Sequence, residues 1–325
     1  MPVGEFELIE RWFRDCGAAR ADVRLGVGDD AALVRVPADR ELVLALDVIN
    51  AGVHFPAESP GRTVGHRALA VNLSDLAAMG ADPAWALLGL TLPAVDEHWV
   101  EEFAAGFAVL ARRFGVSLVG GDTTRGALAA SVTVAGFVAP GQALRRTGAR
   151  PGDSIWISGT PGDAAAGLAL LQSRLSGDDG ARAALVQKFE FPEPRVALGC
   201  ALRGLASACI DVSDGLVGDL GRMCVASAVG AELDARNLPL SPSLRAVADL
   251  AQALRFALAG GDDYELLFTA PAAARAGVEA LAALVPLACI GTIVATPGVR
   301  VGGLPAGCDA GHGFDHFAHH DPGHQ

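Results

Sequence analysis

Lysine is almost absent from this sequence of 325 residues. Lys188 is the only one, and it lies in L-V-Q-K-F-E-F with no glycine loop before it. A Walker-type phosphate loop needs G-x-x-x-x-G-K-[ST], because its lysine reaches the phosphates. The kinase signatures with a strand lysine and an H-R-D loop are also missing, and a lysine Schiff base would have to use Lys188. If the protein handles a nucleotide, it must do so with metals, glycine turns and arginine.

Cysteine pairs, long apolar runs and excess positive charge are also missing. The six cysteines are scattered without a C-x-x-C pair, which predicts reduced, mostly structural thiols and disfavours a zinc site. No apolar stretch reaches the roughly 18 residues of a membrane span, and the first 20 residues lack the features of a secretion signal. A net charge of -12 disfavours nucleic-acid binding. We expect a cytoplasmic protein that binds neither membranes nor nucleic acid.

Acidic residues are concentrated in short motifs. V-N-L-S-D ends at Asp75 and I-D-V-S-D ends at Asp214, each between a strand-like run and a helix-like run. We therefore expect each aspartate where a strand meets a helix N-terminus, and the similarity hints weakly at two related halves. Three further acidic turns are G-V-G-D-D at 26–30, G-G-D-T at 120–123 and G-G-D-D at 260–263.

These turns have the chemistry of a site for hard cations. Glycine allows close approach of a ligand to the backbone, and carboxylates without nearby lysines are ligands for Mg²⁺. One such aspartate is often only a helix N-cap, but five clusters favour a site. Two like charges about 4 Å apart cost roughly 4 kcal/mol at a dielectric constant near 20, so several carboxylates can face a polyphosphate only with divalent ions between them. The pattern indicates Mg²⁺ and a phosphorylated substrate.

The length predicts two domains. Glycine, proline and charge cluster at Pro140-Gly141 and in R-R-T-G-A-R-P-G-D at 145–153, which marks the boundary. We predict a mixed α+β domain over 1–139, a layered α/β domain over 140–317 and a disordered histidine-containing tail over 318–325. Helices are expected at 5–16, 61–80 with an interruption near 72–75, 96–114, 162–175, 194–205, 215–228 and 271–284. Strands are expected at 41–47, 84–92, 116–121, 130–138, 154–158, 207–212, 264–269 and 287–293.

Nine motifs, in this order, closely resemble those of thiamine-monophosphate kinases along almost the whole chain. They are G-E-F-E-L-I at 4–9, G-V-G-D-D-A-A at 26–32, A-V-N-L-S-D-L-A-A-M-G-A-D-P at 70–83, G-G-D-T-T-R-G at 120–126, R-T-G-A-R-P-G-D at 146–153, G-T-P-G-D-A-A-A-G-L at 159–168, I-D-V-S-D-G-L at 210–216, G-G-D-D-Y-E-L at 260–266 and G-F-D-H-F at 313–317. The resemblance implies ATP-dependent conversion of thiamine monophosphate to thiamine diphosphate. It also implies the fold of aminoimidazole-ribonucleotide synthetase and selenophosphate synthetase, with N-terminal domains paired in a homodimer.

The resemblance also implies roles for individual residues. Mg²⁺ would be held by Asp30, Asp47, Asp75, Asp122, Asp211 and Asp214, with Asp29 supporting the first loop. ATP would contact Gly121, Asp122, Arg146 and Ser213, and thiamine monophosphate would contact His54, Asp262 and Phe314. Arg146, Asp75 and Asp214 are the catalytic candidates, and the fork of an arginine suits phosphate oxygens. Taken alone, Arg146 could be a surface arginine, His54 a packed loop residue and Phe314 a core residue.

Three departures from the family pattern concern this site. Ala45 and Leu46 stand where hydroxyl residues usually precede Asp47, Asp262 replaces a glutamate, and Phe314 replaces a larger aromatic residue. Two alternative functions stay open: activation of another substrate by the same fold, and nucleotide binding without turnover.

A phosphate monoester is already anionic at neutral pH and needs no strong base, so repulsion between phosphates is the obstacle. We expect direct in-line transfer without a phosphoenzyme.

Overall fold

The structure is a computed structural model that describes residues 4–311. Across this range the chain forms α-helices α1 Glu5–Leu8, α2 Gly61–Ala78, α3 Glu97–Arg113, α4 Asp163–Leu171, α5 Asp179–Glu190, α6 Val196–Ala201, α7 Leu216–Ser227, α8 Pro242–Val247, α9 Leu250–Ala259 and α10 Arg275–Ala280. Its strands are β1 Val23–Leu25, β2 Leu33–Val34, β3 Glu41–Asn50, β4 Asp82–Leu92, β5 Ser117–Arg125, β6 Ala129–Val138, β7 Ser154–Ser158, β8 Ala208–Val212, β9 Gly230–Asp234, β10 Glu265–Ala270, β11 Leu287–Val294 and β12 Gly298–Gly302. Within these residues no helix is both long and apolar enough to cross a membrane.

The chain divides into two compact units. Unit 1 contains the described residues up to Arg145 together with Glu190–Ala206, and unit 2 contains Arg146–Phe189 and the described residues from Ser207 onward. Each unit has its own mixed sheet with helices packed on it, which confirms the predicted α+β and α/β fold class. The chain therefore returns to unit 1 for one short segment that contains α6.

Unit 1 is built on a four-stranded sheet with the order β3-β6-β4-β5. Strand β6 pairs antiparallel with both β3 and β4, and β5 pairs parallel with β4. Helix α2 packs against β3, β6, α3 and α6. Strand β3 alternates strongly: Val43 and Ile49 are buried, whereas Leu44 and Leu46 are 62% and 58% exposed. One face of β3 therefore belongs to the core beneath α2, and the other is an exposed apolar face.

Helix α2 corrects one prediction. The expected interruption near residues 72–75 is absent, because Gly61–Ala78 is one continuous helix, and Asp75 lies in its last turn instead of at a helix N-terminus. Fifteen of its 18 residues are buried, so its apolar run lacks the one-sided pattern of a surface helix and resembles a buried strand. Glycine permits the close crossing with α3, since a Cβ on Gly65 would lie 2.0 Å from the Phe103 carbonyl oxygen.

Unit 2 is built on a six-stranded sheet with the order β12-β9-β11-β7-β10-β8. Only β12 and β9 pair in parallel among these neighbours. Helix α7 places Leu216, Leu220 and Met223 in the core of this unit. The turn between β8 and α7 carries Ser213 and Asp214, as the sequence predicted. The edge strand β8 and the first turn of α7 thus fix the ends of this turn.

Candidate active site

A cavity of about 970 Å³ on unit 1 brings two of the acidic turns together. Asp29 and Asp30 line it from the β1–β2 connection, and Gly121 and Asp122 line it from β5. The backbone N–H of Asp30 donates to Oδ1 of Asp29 at 2.8 Å, which shapes the first turn. These three aspartates are exposed, so their carboxylates are open to solvent and cations. The volume is within the range of small-molecule sites.

Gly121 occupies a position that only glycine fits. Its φ is +152°, and a Cβ there would lie 1.9 Å from the carbonyl oxygen of Leu88 on β4. The backbone of β5 therefore stays close to β4 while Asp122, the next residue, reaches the cavity. The predicted G-G-D-T turn is thus part of a strand, and its second glycine is required by packing.

A buried asparagine joins Asp47 to α2, the helix that carries Asp75. The backbone N–H of Asp47 on β3 donates to Oδ1 of Asn72 at 2.9 Å, and Asn72 Nδ2 donates to the carbonyl oxygen of Ala68. Asp75 is three residues beyond Asn72, so it lies on the same side of α2, about one turn away. The helix thus carries Asp75 to the part of β3 that contains Asp47.

His54 lies in the turn that follows β3. Its Nδ1 accepts the backbone N–H of Asn50 at 3.0 Å, so the ring proton is on Nε2 when the histidine is neutral. The side chain is partly buried. This hydrogen bond fixes the ring orientation and leaves Nε2–H as the donor for a ligand or a neighbouring group.

In unit 2, two acidic turns lie against each other. Asp211 is buried near the end of β8, and the Ser213-Asp214 turn follows it. The carbonyl oxygen of Ser213 accepts the N–H of Asp262 at 2.8 Å. A Cβ on Gly261 would lie 2.4 Å from that same oxygen, so glycine is needed at this contact. The structure therefore brings together Asp211, Ser213, Asp214 and Asp262.

The segment with Asp262 has an unusual backbone. Asp262 and Tyr264 have φ angles of 69° and 50°, in the left-handed region that costs energy for residues other than glycine. Several hydrogen bonds hold this conformation. Tyr264 N–H donates to the Val212 carbonyl oxygen at 2.8 Å, and the Tyr264 hydroxyl donates to Oδ1 of Asp262 at 3.2 Å. The Asp262 carboxylate is therefore oriented by its neighbours.

Asp263 is tied to a different part of unit 2. Both of its carboxylate oxygens accept the N–H of Gly162 at 2.9 Å, at the start of α4. Burial raises its pKa well above the usual value, and Glu265 and Asp163 raise it further. Burial also raises the pKa of Asp163, whose carboxylate accepts hydrogen bonds from the hydroxyl groups of Thr160 and Ser241. Asp263 thus holds the start of α4 against the segment that contains Asp262.

Sequence reasoning missed two residues beside Asp214. Asp219 is 1% exposed, and its Oδ2 accepts the N–H groups of both Ser213 and Asp214 at 3.1 Å. Burial, together with the nearby Asp211, raises the pKa of Asp219 to about 6. Arg222 contacts both Asp214 and Asp219. The available signal was the acidic residue five positions after Asp214, but it lies inside a helix without a glycine turn.

Arg146 lies at the other end of α7. The hydroxyl of Ser227, the last residue of α7, donates to the Arg146 carbonyl oxygen at 3.1 Å. The 12 residues of α7 span about 18 Å between this contact and the Ser213-Asp214 turn. Unit 2 by itself therefore does not bring the Arg146 backbone to Ser213, and the role of Arg146 stays a prediction. Phe314 lies outside the described residues.

The candidate carboxylates suit Mg²⁺, because this cation keeps water molecules and substrate oxygens among its ligands. In the part of the chain from 4 to 311, no three acidic, histidine or cysteine side chains form a group that could hold a metal ion. The candidate carboxylates occur instead singly or in neighbouring pairs on separate turns, strands and helices. Mg²⁺ is commonly bound by one or two carboxylates together with substrate phosphates, so such incomplete protein sites suit it.

The replacements before Asp47 have different surroundings. Leu46 is 58% exposed on the apolar face of β3, whereas Ala45 shares the opposite face with Asp47 because side chains alternate along a strand. A hydroxyl at position 46 would point away from the side of Asp47. Only Ala45 therefore removes a possible side-chain ligand from that side, although backbone carbonyl groups stay available.

Two family models match the chain. They are AIR synthase related protein, N-terminal domain, over residues 28–138, and AIR synthase related protein, C-terminal domain, over residues 150–303. Among curated proteins, the thiamine-monophosphate kinase of Salmonella typhimurium is 47% identical over 324 residues, which cover 98% of this chain and 99% of the relative.

Solved structures agree with these matches. A crystal structure of thiamine-monophosphate kinase from Stenotrophomonas maltophilia is 48% identical, with a TM-score of 0.84 over 88% of this chain and 93% of that chain. AaThiL complexed with AMPPCP and TMP is 33% identical, with a TM-score of 0.78 over 90% of this chain and 92% of that chain. The expected AIR synthase-like fold is confirmed.

Proposed function

Since the chain belongs to the thiamine-monophosphate kinase family, we propose that it converts thiamine monophosphate and ATP to thiamine diphosphate and ADP by direct in-line phosphoryl transfer. The observation that carries the activity is 47% identity to a named kinase along 98% of the chain. AaThiL was solved as a complex with AMPPCP and TMP, and those two ligands are consistent with this pair of substrates. The enzyme is a phosphotransferase whose acceptor is itself a phosphate group.

Phosphoryl transfer between two anionic phosphates depends more on neutralising their charge than on a general base. The acceptor phosphate is anionic at neutral pH, so its oxygen can attack without first losing a proton to the protein. Phosphoryl transfer depends mainly on positioning and on electrostatic stabilisation. Arg146 has the guanidinium fork that binds phosphate oxygens in pairs, and we assign it to the transferring group. Arg146 is exposed, so its long flexible side chain is accessible to a ligand.

We assign Mg²⁺ binding to six aspartates, four of unit 1 and two of unit 2. When bound, Mg²⁺ neutralises phosphate charge and aligns the donor with the acceptor. The residues that would hold it are Asp30, Asp47, Asp75, Asp122, Asp211 and Asp214, with Asp29 shaping the first turn. The hydrogen bonds of Asp29 to Asp30 and of Asn72 to Asp47 support this assignment, because they fix backbone positions next to the proposed ligands.

The two substrates require different side chains. Gly121 and Ser213 suit ATP because a glycine backbone and a hydroxyl can approach phosphates closely, and Asp122 would serve ATP through bound Mg²⁺. His54, Asp262 and Phe314 are assigned to thiamine monophosphate. The Asp262 carboxylate is held by the Tyr264 hydroxyl, and His54 is held by Asn50, so both have a fixed orientation before a ligand binds. Such preorganisation favours recognition.

The exposed apolar face of β3 supports a homodimer. Leu42, Leu44, Leu46 and Val48 are each at least 40% exposed on this face. A continuous apolar surface of this kind marks an interaction site on a folded protein. We propose that the domain containing residues 1–139 pairs through this face with a second copy and binds ATP and Mg²⁺. We also propose a cytoplasmic location, because reduced cysteines and the use of ATP suit that compartment.

The pairing can be tested by replacing one leucine. Leu44→Asp places a charge on the proposed interface, so we expect the mass measured by light scattering to fall from two chains to one. Val225→Asp is the matched control, since Val225 is 83% exposed on α7, which belongs to unit 2 and not to the proposed interface. A dimer that survives the Leu44 replacement at micromolar concentration would exclude this face as the interface.

The reaction is tested with the purified protein, ATP, Mg²⁺ and thiamine monophosphate. We expect thiamine diphosphate by chromatography, with no product when Mg²⁺ or ATP is omitted. ATP with a chiral γ-thiophosphate then tests the in-line step, because one displacement inverts the configuration at phosphorus. Retention would indicate two displacements and a phosphoenzyme. Absence of product despite ATP binding would contradict the assigned acceptor.

A further inference from the structure

Asp214 is held by two neighbours, Asp219 and Arg222, that have no role in the proposed ligand binding. Asp219 lies in the first turn of α7, and its Oδ2 accepts the N–H groups of Ser213 and Asp214 at 3.1 Å. Its side chain is 2% exposed, so these hydrogen bonds are shielded from water. A buried carboxylate that accepts two adjacent backbone N–H groups restricts the turn to one conformation.

Arg222 supplies the positive charge of this arrangement. It follows Asp219 by three residues on α7, and its Nη1 lies 2.6 Å from Oδ2 of Asp214 and also contacts Oδ1 of Asp219. One guanidinium nitrogen therefore bridges two carboxylates. The side chains of Arg222 and Asp214 are 45% and 30% exposed, so their ion pair can open towards solvent, whereas Asp219 stays buried.

A divalent cation at Asp214 would need the same carboxylate that Arg222 contacts. The guanidinium and the cation would repel each other if both stayed there, because like charges a few ångströms apart interact strongly in a partly buried site. Asp219 offers Arg222 a second acceptor that does not depend on Asp214. Arg222 can thus leave one carboxylate while it keeps the other.

We propose that Asp219 is a positioning residue for the Ser213-Asp214 turn and that Arg222 is a resident counter-ion, which a divalent cation displaces from Asp214. This inference rests on the proposed metal-binding role of Asp214. The arrangement keeps the turn in one conformation and its charge balanced before metal binding. The consequence is a metal affinity that is set partly by competition from the protein's own arginine.

The competition is tested by Mn²⁺ binding to the protein without substrates, measured by electron paramagnetic resonance. Arg222→Met keeps the apolar stem and removes the charge. We expect it to bind Mn²⁺ about fivefold more tightly, the size appropriate for a partly exposed ion pair. Arg222→Lys keeps a positive charge and should stay close to the wild-type affinity. Unchanged or weaker binding by Arg222→Met overturns the counter-ion role.

A double-mutant cycle separates this inference from the proposed function. Asp214→Asn alone should weaken Mn²⁺ binding, and Arg222→Met should have no further effect when Asp214 is already replaced. If Asp214→Asn leaves Mn²⁺ binding unchanged, both the metal role and the inference fail. If Asp214→Asn weakens binding but Arg222→Met gives the same change in both backgrounds, only the inference fails. Arg236→Met controls for net charge, since Arg236 pairs with Asp234 in another part of unit 2.

The positioning role is tested by hydrogen exchange. Asp219→Leu removes the Oδ2 atom that accepts both hydrogen bonds, so the amide protons of Ser213 and Asp214 should exchange at least about tenfold faster. Asp219→Asn keeps one acceptor oxygen and should restore part of the protection. The Tyr264 amide, which donates to Val212, reports whether unit 2 stays folded. Full protection of both turn amides in a folded Asp219→Leu variant overturns the positioning role.

Discussion

Asp75 and Asp214 are held in place by different kinds of backbone. Asp75 lies in the last turn of the 18-residue helix α2, which is buried on most sides by α3, α6 and the sheet of unit 1. Asp214 lies in a short turn between β8 and α7 and is held by hydrogen bonds and an ion pair from one helical turn. The position of Asp75 therefore depends on packing along a whole helix, whereas that of Asp214 depends on a few local polar contacts.

The largest expected effect comes from neutralising either aspartate. We expect Asp75→Asn and Asp214→Asn each to lower kcat at least about a hundredfold, because each would remove a charge from the proposed Mg²⁺ site and phosphoryl transfer depends on electrostatic stabilisation. Steady-state assays of thiamine diphosphate formation measure this. Asp96→Asn is the control: Asp96 caps α3 through the N–H groups of His98 and Trp99, and asparagine caps equally well. An Asp75→Asn enzyme with wild-type kcat would remove Asp75 from the site.

A packing defect between α2 and α3 should affect the helix that carries Asp75 and not the turn that carries Asp214. Gly65→Ala places a Cβ 2.0 Å from the Phe103 carbonyl oxygen, so α2 and α3 must move apart. We expect a loss of at least about 2 kcal/mol in the free energy of unfolding, typical of overpacking against backbone. Urea denaturation followed by circular dichroism measures it. A variant as stable as the wild type would show that the two helices are not in rigid contact.

Acidic pH should lower the stability of unit 1 through protonation of His66 on α2. Its Nε2–H donates to the Pro192 carbonyl oxygen at 2.9 Å, and burial lowers its pKa from 6.5, a shift that Arg113 and Arg67 favour and Glu193 opposes. Below pH 6.5 the unfolded chain binds a proton that the folded chain resists, so stability falls as the pH falls. His66→Gln keeps a donor and should make this slope shallower in urea titrations between pH 5 and 7. An unchanged slope would contradict the role of His66.

Unit 2 should show the opposite pH dependence through Asp263. Its folded-state pKa is raised well above 3.8, so the folded chain holds the proton to higher pH than the unfolded chain. The stabilisation is complete below pH 3.8 and is lost as the pH rises through the raised pKa. Asp263→Asn cannot ionise, and we expect its stability to decline less than that of the wild type as the pH rises from 4. Parallel stability curves would show that Asp263 ionises normally.

The smallest effect should come from an open position on α7. A Cβ on Gly221 would meet no atom within 4 Å. Gly221→Ala should therefore stabilise the protein by about 0.5–1 kcal/mol, the difference in helix propensity between the two residues. Differential scanning calorimetry should show a slightly higher Tm. Destabilisation would mean that position 221 is crowded, against the open space seen there.

The local signals explain which elements could be predicted. The predicted strand at 154–158 is β7, and the predicted helix at 215–228 contains α7. Both have local sequence signals: the strand is a buried apolar run, and the helix is an amphipathic pattern that begins at a glycine. Helix α2 was predicted with an interruption that it lacks, since burial on most sides hides the helical period. Strands β9 and β12 were not predicted, because short strands depend on neighbours distant in sequence.

The grouping of the candidate residues was predictable where motifs name them, whereas their binding roles stay predictions. Sequence patterns found Ser213, Asp214 and Asp262, and the structure brings them together in unit 2. The same patterns could not find Asp219 and Arg222, because their contribution is a set of contacts between one helical turn and the preceding loop. Such contacts are defined by helical geometry after folding and not by any motif.

The alternation of β3 has a consequence for insertions and deletions. One side of this strand carries Asp47 towards α2, and the other carries the apolar row that includes Leu44 and Leu46. Adding or deleting one residue between 43 and 46 would exchange the two sides, because side chains alternate with a period of two. Asp47 would then lie on the apolar surface, and a leucine would take its place on the side that faces α2. A change of two residues keeps the phase, so natural variation in the length of this strand should occur in even steps.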